Sequence, residues 1–359
     1  MSDAAPPKPT DEERNPTFVY VATAPGPLSR AIRFFRLQTK NLEVAQNITL
    51  VPLGVAVETP NVSFLELDQR RRLVFVACEE DAGVVRAFKV EPTGQLTLLN
   101  ERPSMGKRPC HLSLDASGKN LLVANSDGVA LVPVAEDGRL EPAASLPGKV
   151  SQIQGVAFDP AGRFALACDT GADKVLVYGR DVARGTFVTH EPASVPVKAG
   201  PRRLVFRPDG RFVYVVSERA SLVTAFAYDA AAGSLKEMQT VSTLPEYFDG
   251  PNTPGEVAVF PTGKYLYVSN RGHNSVVLFR IADEGALTYV EEQGTGGRTP
   301  RHFGLEPAAK HLAIANEGSD TVLASRIDAT NGRLKPSGIF ASAPSPVCVK
   351  FLSPSELAP

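Results

Sequence analysis

The chain has 359 residues and a formal net charge of −1, with 38 basic and 39 acidic side chains. This balance gives no overall field that would attract nucleic acid or an anionic membrane. No apolar run approaches the roughly 20 residues that a bilayer-spanning helix needs. We therefore expect neither nucleic acid nor a membrane as a partner. Because tryptophan is absent and 43% of the residues are hydrophobic, we expect a largely aliphatic core.

The first residues, MSDAAPPKPTDEERNP, have neither the basic nor the apolar segment of a signal peptide. We expect residues 1–16 to form a disordered polar tail. The four cysteines show no C-x-x-C spacing and lie in apolar runs, which is typical of reduced thiols in a core. Reduced thiols and the missing signal predict a cytoplasmic protein.

A pattern of strands recurs along the rest of the chain. Six copies begin at Asn61, Arg108, Ser151, Gly200, Thr253 and Thr299. Each copy has an alternating apolar strand, a tight turn, a second apolar strand followed by a polar residue, a third strand, and usually a Gly-x-Leu that opens a fourth. Four antiparallel strands make one propeller blade, and repeats 40 to 50 residues long are typical of propellers.

The two ends of the chain supply a seventh copy. Residues 346–352 (PVCVKFL) have the pattern of a first strand, and residues 17–23 (TFVYVAT) that of a second strand. Pairing the terminal strands would close the ring and leave no inner edge exposed. We predict an all-β, seven-bladed β-propeller over residues 17–352, with a C-terminal tail at 353–359. We expect a monomer or a weak homo-oligomer.

Several polar residues are predicted to meet at one mouth of the channel, because the start of a first strand and the loop after a second strand lie on the same face of a blade. Asn125, Asn270 and Asn316 are expected to hold turns there. The opposite charges of Arg202, Glu218, Arg271 and Arg301 predict a binding site for an anionic small molecule. Further substrate-binding candidates at this mouth are Gln154, Asp169, Arg203, His273 and His302. Each histidine could be an acid/base group or a structural donor.

The repeats resemble the seven-bladed lactonase family, which contains propeller-type bacterial 6-phosphogluconolactonases and the fungal 3-carboxymuconate lactonising enzyme. The resemblance rests on the following segments: GPRRLVFRPDGRFVYVVSE from Gly200, YLYVSNRGHNSVVLFRI from Tyr265, TPRHFGLEP from Thr299, and DTGADKVLVY from Asp169. It implies that Arg202, Glu218 and Arg271 are the active residues.

The sequence departs from this family at two places. Gln152 and Gln154 stand where the family usually has histidines, and Arg203 stands in place of a third histidine. Glutamine does not shuttle a proton near pH 7. Glu218 would therefore act alone, or together with His273 or His302.

Three functions remain open from the sequence. The first is an enzyme that hydrolyses or forms the lactone of a sugar acid or a carboxymuconate, with arginines binding the anion and Glu218 as general base. The second is a non-catalytic propeller that binds an anionic metabolite or a protein partner. The third is a divalent metal site built from Glu79, Asp169 and Glu218. No loop has a dedicated ligand spacing, so we assign neither a metal nor another cofactor.

Overall fold

The computed structural model describes residues 16–24, 31–41 and 46–354. These residues form seven four-stranded antiparallel sheets. In chain order the strands are β1 (Phe18–Thr23), β2 (Ala31–Asn41), β3 (Gln46–Glu58), β4 (Val62–Asp68), β5 (Leu73–Cys78), β6 (Val84–Val90), β7 (Leu96–Pro103), β8 (His111–Leu114), β9 (Asn120–Asn125), β10 (Gly128–Pro133), β11 (Ala144–Ser145), β12 (Ile153–Phe158), β13 (Phe164–Asp169), β14 (Lys174–Asp181), β15 (Thr186–Pro196), β16 (Pro201–Phe206), β17 (Phe212–Ser217), β18 (Leu222–Asp229), β19 (Ser234–Ser242), β20 (Thr253–Val259), β21 (Tyr265–Arg271), β22 (Ser275–Ile281), β23 (Leu287–Gly294), β24 (Pro300–Leu305), β25 (His311–Asn316), β26 (Thr321–Ile327), β27 (Leu334–Ser342) and β28 (Pro346–Leu352).

Blades 1 to 6 each use four consecutive strands, from β4–β7 to β24–β27, and blade 7 combines β28 with β1, β2 and β3. In blade 7 the two ends of the chain pair antiparallel, with Val19 opposite Phe351. The seven inner strands contact one another in sequence around the channel, and β24 of blade 6 contacts β28 of blade 7. The predicted closed seven-bladed propeller is therefore confirmed. Within the described residues, a 3-10 turn at Glu317–Ser319 is the one helical element.

The expected tails at 1–16 and 353–359 lie almost wholly outside the described residues. No helix in the described ranges is long and apolar enough to cross a membrane.

In the five blades that carry a Gly-x-Leu motif, its glycine contacts a side chain of the preceding blade. Gly285 of blade 5 has a φ of 89°, which disfavours other residues. A Cβ at this position would overlap the ring of Phe212 in blade 4. Tyr214, also in blade 4, donates a 3.1 Å hydrogen bond from its hydroxyl to the Gly285 carbonyl. The motif therefore needs glycine both for its backbone conformation and for close contact between blades.

The same contact recurs around the ring. Tyr20 donates to the Gly94 carbonyl at 2.8 Å, and Tyr267 donates to the Gly332 carbonyl at 2.7 Å. The second strands that carry these tyrosines are buried along nearly their whole length between neighbouring sheets. Apolar side chains therefore occupy both faces, which explains their continuous Val, Ala, Leu and Phe runs. All four cysteines are free thiols, as expected, and three of them are fully buried.

Candidate functional site

A fully buried residue lies at or next to the end of each second strand, and the residue after it is partly exposed in every blade except blade 3, where Thr170 is buried. The buried residues are Thr23, Cys78, Asn125, Asp169, Ser217, Asn270 and Asn316. We call the position that follows each of them the rim position; it holds Ala24, Glu79, Ser126, Thr170, Glu218, Arg271 and Glu317. The sequence predicts that the polar residues ending the second strands are Thr23, Glu79, Asn125, Asp169, Glu218, Asn270 and Asn316. This alignment is wrong by one residue in two blades, because Cys78 and Ser217 occupy the buried position there and Glu79 and Glu218 follow them.

The buried asparagines were expected to hold turns, and in the structure they hold the ends of outer strands in the preceding blade. The side-chain amide of Asn125 donates to the Ser104 carbonyl at 2.8 Å, that of Asn270 to the Thr243 carbonyl at 2.7 Å, and that of Asn316 to the Thr295 carbonyl at 3.2 Å. Each bond joins the end of a second strand to the end of an outer strand in the preceding blade. These residues therefore fix the second strands relative to the preceding blades, and their buried side chains do not line the mouth of the channel.

The placement of Asp169 among the substrate-binding candidates is corrected by the structure. Its side chain is fully buried. Its Oδ1 accepts the backbone N–H of Gln152 at 2.9 Å, and both oxygens lie within 3.2 Å of the backbone N–H of Ser151. With its lone pairs engaged by main-chain donors, Asp169 caps the start of the inner strand of blade 3 and has no exposed oxygen for a ligand. The metal hypothesis loses one of its three ligands for the same reason.

Arg202, Glu218 and Arg271 do come together, across blades 4 and 5. The Nη1 of Arg202 lies 2.9 Å from Oε2 of Glu218, and the Nη2 of Arg271 lies 3.5 Å from the same oxygen. Gln154 of blade 3 accepts a 3.3 Å hydrogen bond from Nη1 of Arg202. We call these four residues the mouth cluster. It joins three neighbouring blades at one side of the channel.

Polar atoms of the mouth cluster remain without partners in the described part of the chain. Oε1 of Glu218 and Nη2 of Arg202 make no hydrogen bond there, and Nε of Arg202 is buried and unpaired. Burial, and then the charges of Arg203 and Arg271, lower the pKa of Arg202 to about 9, although Glu218 acts in the opposite direction. Arg202 therefore keeps its charge at pH 7. A buried cation beside a carboxylate with a free oxygen is suited to acid–base chemistry on a bound ligand.

Arg271 is more firmly held than Arg202. Its Nε donates to the Thr253 carbonyl at 3.0 Å, and its Nη2 donates to the Pro254 carbonyl at 3.2 Å. Burial lowers the pKa of Arg271, while the Glu218 charge raises it. These backbone contacts fix the guanidinium against the inner strand of blade 5, where it orients Glu218.

Arg301 lies beside the mouth cluster in blade 6. Its Nη1 pairs with Oε1 of Glu317 at 2.9 Å, and its charge acts on both Arg202 and Arg271. Glu317 is not among the site residues predicted from the sequence. A sequence pattern could have identified Glu317, because it follows a buried asparagine as Arg271 does. This shared pattern places both residues at the rim position.

Arg203 lies beneath the mouth cluster, although it is the next residue along the chain from Arg202. Its Nε is 3.3 Å from Oε2 of Glu256, which lies 3.6 Å from Nε2 of His302. Arg203 also donates to the backbone carbonyls of Gln154 and Cys110 in the two preceding blades. These contacts make Arg203 a link between three inner strands, so its assignment as a substrate-binding residue is not supported.

The second residue beneath the mouth cluster is His302, which is 4% exposed. Its Nδ1 accepts the backbone N–H of Val349 at 3.3 Å. Burial, and then the charges of Lys350 and Arg203, hold the pKa of His302 well below its usual range. A neutral histidine that accepts a main-chain bond has a structural role here, so its acid/base assignment is also not supported.

A matching histidine lies in blade 2. The Nδ1 of His111 accepts the backbone N–H of Val156 at 3.3 Å, and burial lowers its pKa strongly. Phe64 packs between the two rings, with centroid distances of 4.3 Å to His111 and 5.4 Å to His302. We call Phe64, His111, Arg203, Glu256 and His302 the buried layer. It forms the floor under the mouth cluster.

His273 occupies the outer part of the same face. Its Nδ1 is 2.7 Å from Oγ of Ser275, and its ring packs edge-on against Phe248 at a centroid distance of 4.7 Å. No hydrogen bond joins it to a mouth-cluster residue in the described ranges. No group of three or more His, Cys, Asp or Glu side chains within those ranges is arranged to hold a metal ion.

The fold and this site define a closed seven-bladed propeller with a buried arginine–glutamate cluster at one mouth of its channel. The sequence model described as "Lactonase, 7-bladed beta-propeller" matches residues 18–351. The chain therefore belongs to the seven-bladed β-propeller lactonase family.

Individual relatives agree with this membership. The 6-phosphogluconolactonase of Bacillus subtilis (strain 168) is 30% identical over 348 residues, which cover 93% of this chain and 97% of the relative. The 6-phosphogluconolactonase of Pectobacterium carotovorum (strain PC1) is also 30% identical, over 77% of this chain and 81% of its own.

Among solved structures, the periplasmic gluconolactonase PpgL of Pseudomonas aeruginosa superposes with a TM-score of 0.85 at 28% identity, covering 94% of this chain and 99% of its own. Because that relative is named as periplasmic, the cytoplasmic location expected from the sequence stays a prediction. None of these three names refers to a muconate, so they give the cyclisation alternative no support.

Proposed function

We propose that the protein hydrolyses the lactone of a sugar acid at the mouth cluster. The observation that carries the proposal is the carboxylate of Glu218, which is held by two guanidinium groups through one oxygen while the other oxygen is free. This arrangement fixes the orientation of a general base without using its second oxygen. The family and the names of the relatives support the same reaction class.

The geometry suggests how the reaction proceeds. Oε1 of Glu218 takes a proton from a water molecule, and the resulting hydroxide adds to the lactone carbonyl carbon. The carbonyl oxygen becomes an oxyanion, which the guanidinium of Arg202 stabilises through its unused N–H groups. The bond between the carbonyl carbon and the ring oxygen then breaks, and the ring oxygen receives the proton that Glu218 took up. One water is consumed, and the product acid ionises.

Gln154 has a role in this scheme that needs no proton transfer. Its side-chain oxygen accepts a hydrogen bond from Arg202, so its amide N–H₂ group is left to face a ligand. Glutamine can hold a substrate oxygen, while the proton steps fall to Glu218 alone. The replacement of the family histidine by Gln154 is therefore compatible with hydrolysis.

Acid release from glucono-1,5-lactone and from its 6-phosphate tests the proposal, after subtraction of spontaneous hydrolysis. We expect saturable turnover, and we expect Glu218→Gln to lower kcat/KM about 10²- to 10⁴-fold, which is the usual contribution of a general base. Glu291→Gln is the matched control, because Glu291 lies on the outer strand β23 and pairs with Arg333. The proposal is wrong if the unaltered protein gives no turnover with either lactone. Saturable binding of gluconate without turnover would then support a non-catalytic propeller.

A further inference from the structure

A second glutamate occupies the rim opposite Glu218. Glu79 holds the rim position of blade 1, and its backbone N–H donates to the Asn61 carbonyl at 2.6 Å. Glu218 makes the equivalent bond to the Gly200 carbonyl at 2.9 Å. Blades 1 and 4 are three apart in a ring of seven. The repeat therefore sets the two carboxylates on nearly opposite sides of the mouth.

Glu79 differs from the other acidic residues around the channel because its carboxylate is unpaired. Glu218, Glu256 and Glu317 each pair with an arginine. The half-buried side chain of Glu79 makes no hydrogen bond or ion pair with any residue in the ranges that the structure describes. An unpaired carboxylate that is partly removed from water retains its full capacity to accept hydrogen bonds from a ligand.

The charge of Glu79 acts on the Cys110 thiol, whereas the charge of the next residue, Glu80, acts on Cys78 and Arg86. Burial raises the pKa of the Cys110 thiol, Arg203 and Arg202 lower it, and Glu79 raises it further. The Cys110 sulfur lies 3.8 Å from the Gln154 carbonyl, at the edge of the mouth cluster. By contrast, Glu80 accepts a 3.5 Å hydrogen bond from Asn61.

Glu80 also acts on a different region of the protein. Burial lowers the pKa of Arg86, while Cys78, Glu101 and then Glu80 raise it. The guanidinium of Arg86 pairs with Glu101 on the outer strand of blade 1. Glu79 and Glu80 are therefore neighbours of the same chemistry that face different surroundings, which makes Glu80 a matched control.

The charges around the mouth balance, so no excess positive charge is left to bind a strongly anionic substrate. Four guanidiniums, those of Arg202, Arg203, Arg271 and Arg301, stand against the four carboxylates of Glu79, Glu218, Glu256 and Glu317. The expectation of an anionic substrate rested on Arg202, Arg271 and Arg301 together with Glu218, and in the structure each of these arginines pairs with a carboxylate. A lactone whose carbonyl faces blades 4 and 5 would extend its remaining atoms towards blade 1. A phosphate on that part would approach the carboxylate of Glu79, and the two would repel each other.

We propose that Glu79 is a specificity-determining residue that accepts hydrogen bonds from the hydroxyl groups of an uncharged sugar lactone and disfavours its phosphorylated counterpart. This inference rests on the proposed lactonase activity. It names the class of substrate as a neutral polyhydroxy lactone. The carboxylate acts on binding of the substrate and takes no proton in the reaction.

The test compares kcat/KM for glucono-1,5-lactone and for its 6-phosphate in the full-length protein, in Glu79→Gln and in Glu80→Gln. We expect the unaltered protein to prefer the unphosphorylated lactone. Glu79→Gln should shift the ratio of the two kcat/KM values towards the phosphate by about tenfold or more, because it removes a like-charge repulsion. Glu80→Gln should leave the ratio unchanged. Added salt should reduce the preference of the unaltered protein, since ions screen the repulsion.

The outcomes separate this inference from the proposed function. If the unaltered protein turns over lactones but Glu79→Gln leaves the ratio where it was, the inference is overturned and the lactonase assignment stands. A preference of the unaltered protein for the 6-phosphate overturns it equally. If neither lactone is turned over, the proposed function is refuted, and the inference falls with it.

Discussion

The mouth cluster and the buried layer use the same residue types for different purposes. Arg202 and Arg203 are adjacent in sequence, and both are 7% exposed or less. Arg202 shares one carboxylate oxygen with Arg271 and keeps donors unused, whereas Arg203 engages Glu256 and backbone carbonyls of two other blades. Buried charge by itself therefore does not mark a functional residue. What distinguishes the two is whether the polar atoms are already used by the protein.

The largest effect expected from this comparison is on catalysis. Arg202→Met removes the guanidinium that faces the developing oxyanion, so kcat/KM should fall about 10²- to 10³-fold, which corresponds to roughly 3 to 4 kcal/mol of barrier. Stability should change less, because Glu218 keeps its contact with Arg271. Acid-release kinetics and urea unfolding measure the two quantities. A variant that loses stability while its kcat/KM is retained would contradict the assignment of Arg202.

Arg203→Met should show the opposite pattern. It leaves Glu256 buried beside a neutral histidine and removes the links to Gln154 and Cys110. Loss of one partner from a buried ion pair costs about 3 kcal/mol or more, so the free energy of unfolding in urea should fall by that amount. The folded fraction should retain more activity than Arg202→Met does.

An exposed pair supplies the control for the Arg203 substitution. Arg333 pairs with Glu291 on the surface, so Arg333→Met should cost less than about 1 kcal/mol. If Arg203→Met is as stable as this control, Arg203 is not a structural link.

The smallest effect concerns the response of the buried layer to acid. His302 has a pKa well below its usual range in the folded protein, while an unfolded histidine titrates near 6.5. Between these values the unfolded chain binds more protons than the folded protein, so stability is full above about pH 6.5 and falls as the pH drops below it. At pH 5 the loss per buried histidine should reach about 2 kcal/mol.

Urea unfolding at pH 7.5 and 5.0 measures this loss. His302→Asn can still accept the Val349 N–H through its side-chain oxygen but does not titrate, so it should lose less stability on acidification than the unaltered protein. His190→Asn, which changes a histidine on the outer strand β15, serves as the control. An acid response in His302→Asn equal to that of the unaltered protein would show that His302 does not contribute to it.

Much of the fold was predictable because a propeller repeats one local pattern seven times. Alternating strands, tight turns and the Gly-x-Leu motif are local features, and the terminal strands matched the two halves of a single blade. The error of one residue at Glu79 and Glu218 arose because buried and rim positions are both polar in most blades. Sequence type did not separate them, whereas strand pairing with Val62 and Pro201 did.

The number of blades, the closure of the ring, and the convergence of Arg202, Glu218 and Arg271 at one mouth could be predicted from the sequence, since these follow from a period and from equivalent positions within it. Which polar side chains remain unused depends on three-dimensional packing. Asp169 caps the inner strand of its own blade, Arg203 and His302 belong to the buried layer, and Glu79 stays unpaired. The contacts of Asp169 are made within its blade, and those of Arg203 and His302 with neighbouring blades, but all of them join residues that are distant in sequence. A hydrogen bond between blades is a property of three-dimensional distance, and a linear pattern does not encode it.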